Sequence, residues 1–212
     1  MAFILDIETR PDESLREVFG ENVSAPGNIK DPEKIAAAIA KKLENSDKAM
    51  AVDPDYARIV CIGVKEIGLP GKILTLEEFV HWYTAETIDA RGERHSKEDQ
   101  VMITFNGKGF DIPLLIKAGI KQGLKLPYKK LKVMMSKGFV AGGHVDMMEQ
   151  IGMVWGENKS LDSYLQIYCG TKKDTKGNEF FRNATDEELA KHCLEDLDFT
   201  EMLYNKFSPL LV

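Results

Sequence analysis

Residues 3–9 read Phe3-Ile4-Leu5-Asp6-Ile7-Glu8-Thr9, an apolar run that ends in two acids. Side chains of a strand repeat every second residue, so Asp6 and Glu8 share one face. Two neighbouring carboxylates repel each other unless a cation lies between them. Hard divalent cations prefer oxygen donors, which makes the pair a candidate metal site. A solvated strand face presents the same pattern, so this stretch alone leaves both readings open. The strand runs from Ala2 to Ile7, and Arg10-Pro11 is expected to end it, because proline removes a ladder donor.

Working outward, residues 12–56 read as a helical insertion between the first two strands. Asp31-Pro32-Glu33 opens a helix with a cap, a proline in the first turn and an early acid, and the Ala-rich stretch continues it to about Leu43. Asp53-Pro54-Asp55 is a turn before the β-rich run Ile59–Val64, and Lys72–Thr75 begins a third strand that pairs with it. Leu76–Tyr83 reads as helix, Val101–Phe105 as a buried strand ended by Asn106-Gly107, and a helix begins at Ile112. Ser160 starts a further helix, Gly170–Asn183 is a polar loop with Lys172, Lys173, Asp174, Lys176 and Gly177, and Asp186–Phe207 is a long helix. Strands come early and helices alternate with them, an α/β pattern with a mixed sheet flanked by helices, in a single domain over 1–212.

The bulk numbers fit this. The chain has 212 residues, 43% hydrophobic and 29% charged, enough length and apolar content for a buried core. No run approaches the eighteen or so apolar residues of a membrane span, and no signal peptide is expected. Cys61, Cys169 and Cys193 are odd in number and lack zinc spacing, which suits ordinary thiols in a reducing, intracellular (cytoplasmic) location. Net charge is −6, yet Ile112–Val145 contains no acid and carries Lys117, Lys121, Lys125, Lys129, Lys130, Lys132 and Lys137. Such a segment is either a solvated face or a surface that tracks phosphates.

Two more acidic positions stand in telling contexts. In Asn106-Gly107-Lys108-Gly109-Phe110-Asp111 a buried strand meets a glycine turn, and Asp111 opens the next helix, where it can serve as a cap or face the sheet edge. In the last helix His192 and Asp196 are four apart and share a face, beside Leu189, Cys193, Leu197 and Thr200; Glu195 and Asp198 point to solvent. His144 and Asp146 are expected to serve a cap or a core hydrogen bond, or else to support the ligands of a nearby metal site from behind, and His81, Trp82 and His95 packing or surface.

Taken together, Asp6-Ile7-Glu8-Thr9, the Asn106–Asp111 segment followed by Ile112-Pro113-Leu114-Leu115, and Asp196-Leu197-x-x-Thr200 resemble the three motifs of the DnaQ-like, or DEDD, 3′→5′ exonucleases of the RNase H-like superfamily. The branch that looks most similar is the one related to the exonuclease domain of family-B DNA polymerases. The Asp53-Pro54 turn and His144-Val145-Asp146 extend the resemblance over nearly the whole chain. One departure is His192-x-x-x-Asp196, which combines the tyrosine subfamily's spacing with the histidine subfamily's residue.

The resemblance implies an RNase H-like mixed sheet and two-metal phosphodiester hydrolysis. Asp6, Glu8, Asp111 and Asp196 would hold two Mg²⁺ or Mn²⁺ ions, and His192 would accept or steer the proton of the attacking water. Thr9, Asn106 and Phe110 would contact the terminal nucleotide, and nucleoside 5′-monophosphates would be released. The expected partner is single-stranded DNA or a frayed 3′ end, with a separate polymerase for any proofreading role and no membrane. Two alternatives belong beside it: an RNA-directed 3′→5′ exoribonuclease, and a catalytically inactive nucleic-acid-binding module. A third is a metal protein in which the later motifs are coincidental.

Overall fold

The computed structural model describes residues 2–136, 143–152, 158–174, 180 and 183–210. Lys137, Lys176 and Gly177 of the readings above lie outside them. In chain order the elements are β1 (Ala2–Pro11), α1 (Arg16–Asn22), α2 (Pro32–Glu44), α3 (Ser46–Ala51), β2 (Ala57–Glu66), β3 (Lys72–Leu74), α4 (Leu76–Thr84), β4 (Thr87–Ile88) and β5 (Arg94–His95). They continue with β6 (Val101–Thr104), α5 (Asp111–Lys121), α6 (Tyr128–Met134), β7 (His144–Asp146), α7 (Met147–Gly152), α8 (Leu161–Cys169) and α9 (Asp186–Phe207). The chain divides into two compact units, Met1–Glu8 with Ile59–Val212, and Thr9–Arg58.

The larger unit is built on a five-stranded sheet in the order β3-β2-β1-β6-β7. β6 runs parallel to both β1 and β7, with Ile4 opposite Ile103 and Thr104 opposite Asp146. β3 is antiparallel to β2. It is a mixed α/β sheet flanked by helices, as the order of strands and helices predicted. Strand alternation separates two faces. On one, Phe3 meets Trp82 and Tyr83 of α4, where Phe79 and Tyr83 are fully buried. On the other, Ile4, Ile103 and Val145 join Leu161, Leu165, Leu197 and Leu203 of α8 and α9. Each such leucine taken out of water stabilises the fold by about 1.5–3 kcal/mol. Helix α9 starts with a full capping box between Thr185 and Glu188 and buries Leu189, Cys193, Leu197, Thr200 and Leu203, a stripe at three-to-four spacing.

The smaller unit holds α1, α2 and α3. Asp31 caps α2 by accepting from the Glu33 and Lys34 N–H groups, with Pro32 in the first turn. Arg16 bonds Asp47 at 2.7 Å, and Phe19 packs edge-on against Tyr56.

Two sequence expectations need correction. β1 is longer than the expected Ala2–Ile7 and runs on to Pro11, where the proline ends it as expected by removing a donor at the point pairing stops. The β4–β5 hairpin had no signal, because strands of two residues are too short to show alternation. Its turn is made by Asp89, whose carboxylate accepts from the Arg91 and Glu93 N–H groups, and by Gly92 at φ +81°. Among the described residues no helix is long and apolar enough to cross a membrane.

Candidate carboxylate site

Because β1, β6 and β7 are parallel neighbours, their carboxyl ends lie side by side, where α/β sheets commonly carry their sites. Asp6 and Glu8 follow Ile4 on the face covered by α9. From α9, His192 reaches across so that its Nδ1 lies 2.7 Å from Glu8 Oε1, with both side chains largely buried. One helical turn on is Asp196. Cys193 donates its thiol to the Asp6 carbonyl at 3.5 Å and lies beside Cys61 of β2. This close packing needs Gly63, where a Cβ would sit 2.6 Å from the Cys193 sulfur. The Phe180 ring lies 5.8 Å from the His192 ring.

The turn from β6 to α5 delivers the remaining acid. Asn106 takes the left-handed conformation at φ +66°, and Gly107 passes so near Thr104 that a Cβ would stand 2.2 Å from its hydroxyl. The buried Asp146 carboxylate fastens this turn by accepting from the Asn106 and Lys108 N–H groups, both at 2.9 Å, and from Met148 N–H at 3.1 Å. His144 supports it from below. Its Nδ1 donates to the Met134 carbonyl at 3.1 Å, so Nε2 accepts from the Thr104 hydroxyl at 2.8 Å, and that oxygen accepts from Gly107 N–H. Burial holds the His144 ring below its ordinary pKa, consistent with a neutral ring in this chain of bonds. Asp111 does not cap the helix: it is the first helical residue, and its buried carboxylate has the Ile7 backbone of β1 nearby to favour its charged form.

The electrostatics tie the four acids together. Burial raises the Asp6 carboxyl well above the usual carboxylate range, and the charges of Glu8, Asp196 and Asp111 raise it further. Burial likewise pushes Asp111 up to about 8, with Asp146 and Glu8 adding to the rise. Asp6 Oδ2 is buried with no hydrogen-bond partner. Asp196 is met by Lys173, whose Nζ donates to Oδ2 at 2.6 Å, while Lys173 N–H is fixed by Asp162 Oδ1 at 2.8 Å. An all-oxygen donor set with an orphaned buried oxygen and mutual repulsion fits a hard divalent cation. Among the described residues, the only group of three acid or histidine side chains whose ligand atoms all lie within 4.8 Å of one another is Asp89, Glu93 and His95. That exposed trio on the β4–β5 hairpin could hold a metal ion, although Asp89 is already engaged in the turn.

Asp6, Glu8, Asp111, His192 and Asp196 are therefore brought to one end of the sheet. Asn106 is exposed and Phe110 half-buried at the start of α5. Thr9 belongs to the smaller unit and donates its hydroxyl to the Ala51 carbonyl at 2.6 Å. In the lysine segment Lys121, Lys125, Lys129 and Lys132 are exposed, whereas Lys130 is bound to the Glu98 carbonyl and lies 3.8 Å from Asp99. Asp198 is exposed and ion-paired with Lys65, while Glu195 lies near Lys191. Sequence reasoning missed Lys173 as a partner of Asp196, since a lysine in a polar loop carries no positional signal. It also left Cys61 and Cys193 as unrelated thiols.

No family model matches the chain, and no curated protein matches it. Among solved structures it is similar to the family B DNA polymerase from the hyperthermophilic archaeon Pyrobaculum calidifontis, with a TM-score of 0.56 and 18% identity. The match covers 98% of this chain and 24% of that polymerase, so the chain spans about a quarter of the polymerase's length. At this identity the likeness speaks for the fold, and it agrees with an RNase H-like mixed sheet.

Proposed function

We propose that the chain is a metal-dependent 3′→5′ exonuclease acting on single-stranded DNA or frayed 3′ ends and releasing nucleoside 5′-monophosphates. The observation that carries this reading is the buried Asp6 carboxyl, its Oδ2 without a hydrogen-bond partner and its charge opposed by Glu8, Asp196 and Asp111, three acids drawn from β1, α9 and α5. The likeness to a DNA polymerase supports a nucleic-acid substrate. Asp6, Glu8, Asp111 and Asp196 would hold two Mg²⁺ or Mn²⁺ ions, which when bound supply positive charge to polarise the scissile phosphate and offset charge on the leaving oxygen. The residues of the chain do the rest. His192 holds Glu8 in place; with Nδ1 donating, the neutral ring keeps its lone pair on Nε2, where it can take a proton from water. Lys173 balances Asp196. Phe110 and Asn106, which precede α5, would meet the terminal nucleotide. Exposed lysines after Asp111 follow the strand backbone, so binding weakens as salt rises.

The test is degradation of 5′-labelled single-stranded DNA with Mg²⁺ or Mn²⁺, beside Asp6→Ala and an equivalent RNA. A metal-dependent ladder shortening from the 3′ end, absent in Asp6→Ala, supports the exonuclease, and the DNA-to-RNA ratio assigns the substrate. A second reading, a binding module without cleavage, is favoured by the Lys173–Asp196 ion pair, which neutralises one of the four acids without a metal. Strand binding with no metal-dependent cleavage would establish it.

A further inference from the structure

A separate concavity of about 740 Å³ opens on the Phe3 face of the sheet, the face opposite Asp6 and Glu8. Its floor is the half-buried Trp82 indole, held edge-on against Phe3 with ring centroids 5.1 Å apart, so the ring is preset rather than mobile. Two ammonium groups reach that ring from β3 and from the segment before β6: Lys72 Nζ at 5.1 Å and Lys97 Nζ at 5.6 Å from its centroid. Lys97 is steadied by Glu66 at 2.9 Å. Gln100 also lines the cavity. Glu77 and Glu78 stand on the rim, but the Glu78 carboxylate is committed to Thr75 N–H in the cap of α4.

These groups define a ligand. A π-face accepts any flat ring, and two lysines accept a phosphate. The uncommitted Glu77 carboxylate disfavours a polyphosphate and leaves room for a single phosphate. We propose that this cavity binds one nucleotide unit, whose phosphate draws Lys72 and Lys97 off the indole and whose base takes their place on Trp82. The unit comes either from a free mononucleotide or from a strand passing over the sheet's back face. The assignment does not rest on cleavage at the carboxylates.

The test uses the full chain labelled with 5-fluorotryptophan, in excess chelator so that no metal-dependent cleavage occurs. Trp82 and Trp155 are its two tryptophans, and the Trp82 fluorine resonance is identified by its loss in Trp82→Phe. Thymidine 5′-monophosphate or a phosphorothioate oligothymidylate should shift it saturably. The Lys72→Ala/Lys97→Ala variant should weaken that binding about tenfold or more while leaving the fold's melting temperature near wild type. Tighter binding of the oligonucleotide would identify a strand, and equal binding a mononucleotide. No shift with either at millimolar concentration, or an equal shift with inorganic phosphate alone, would overturn the proposal. So would binding that survives the double lysine substitution unchanged.

Discussion

Nδ1 of His192 lies 2.7 Å from Oε1 of Glu8, although 184 residues separate them in the chain. The bond closes α9 onto the end of β1 and fixes which ring nitrogen carries the hydrogen when the imidazole is neutral. Histidine at this position therefore does something its spacing from Asp196 did not reveal: it orients a carboxylate of the first motif.

That role has a measurable signature. His192→Ala should lower cleavage about 10–100-fold, as loss of a group that positions a metal-binding carboxylate does, and should raise the Mn²⁺ concentration needed for half-maximal rate. His192→Gln keeps an N–H donor and should recover much of the Mn²⁺ dependence without recovering a proton acceptor. Its rate at saturating Mn²⁺ should then stay below wild type. Identical Mn²⁺ dependence in wild type and His192→Ala would remove the positioning role.

Asp6 and Asp111 make the metal-free protein sensitive to pH. Both carboxyls are raised above their unfolded values, chiefly by burial, Asp111 to about 8. Between the ordinary carboxylate range near 4 and about pH 8 the folded chain thus holds protons that the unfolded chain has released, so stability falls as pH rises through that window. Denaturant melts without metal should show higher stability at pH 6 than at pH 8. Asp111→Asn should flatten that slope, and divalent cation should reverse it, because binding requires the charged carboxylates and releases protons. A metal-free protein equally stable at both values would contradict the burial of these acids.

Much of this was legible in the sequence, for reasons visible in particular residues. Asp6 and Glu8 follow a strand period, Asp186–Phe207 follows a helix period with a capping box, and both periods survive folding because each buries a face. Asp111 was legible as a helix start but not in its aim, since only the pairing of β1 with β6 brings the Ile7 backbone to it. Lys173 was not legible, because its contact with Asp196 depends on how Asp162 anchors the backbone after α8. The Trp82 cavity was likewise hidden: its lysines come from positions 72 and 97, with no spacing to link them.

Lys173 and a metal compete for the same carboxylate. Its ammonium donates to Asp196 Oδ2 at 2.6 Å in a largely buried pair. Lys173→Met keeps most of the side chain's length but removes the charge, and it should tighten Mn²⁺ binding about tenfold by calorimetry, equivalent to about 1.4 kcal/mol. The metal-free variant should be less stable than wild type, because an acid in the cluster loses its counter-charge. Weaker Mn²⁺ binding would mean that Lys173 prepares the site rather than competes for it.

Asp146 holds the turn that presents Asp111 by accepting three backbone N–H groups while only 2% exposed. Asp146→Ala leaves those buried donors unsatisfied and should cost about 2–4 kcal/mol in denaturant melts. Asp146→Asn retains one acceptor oxygen but turns an amide N–H₂ toward one of the donors, so it should be destabilised as well, by less than alanine. The turn's loss of register should also weaken Mn²⁺ binding through Asp111. An alanine variant as stable as wild type would show that water replaces the carboxylate without penalty.

The last prediction concerns the packing beneath the site. A Cβ added at Gly63 of β2 would lie 2.6 Å from the Cys193 sulfur, closer than real side chains approach, and a tight 3.0 Å from Leu197 Cδ1. Gly63→Ala should therefore push α9 away from β2 and cost about 1–3 kcal/mol, as overpacking does. Because His192 and Asp196 flank Cys193 on that helix, the displacement should also weaken metal-dependent cleavage. Cys193→Ala removes the sulfur that the new methyl would strike, so combining it with Gly63→Ala should recover part of both losses, a coupling that a double-mutant cycle reads directly. Losses that add without coupling would mean that the Leu197 contact, and not Cys193, sets the distance between α9 and the sheet.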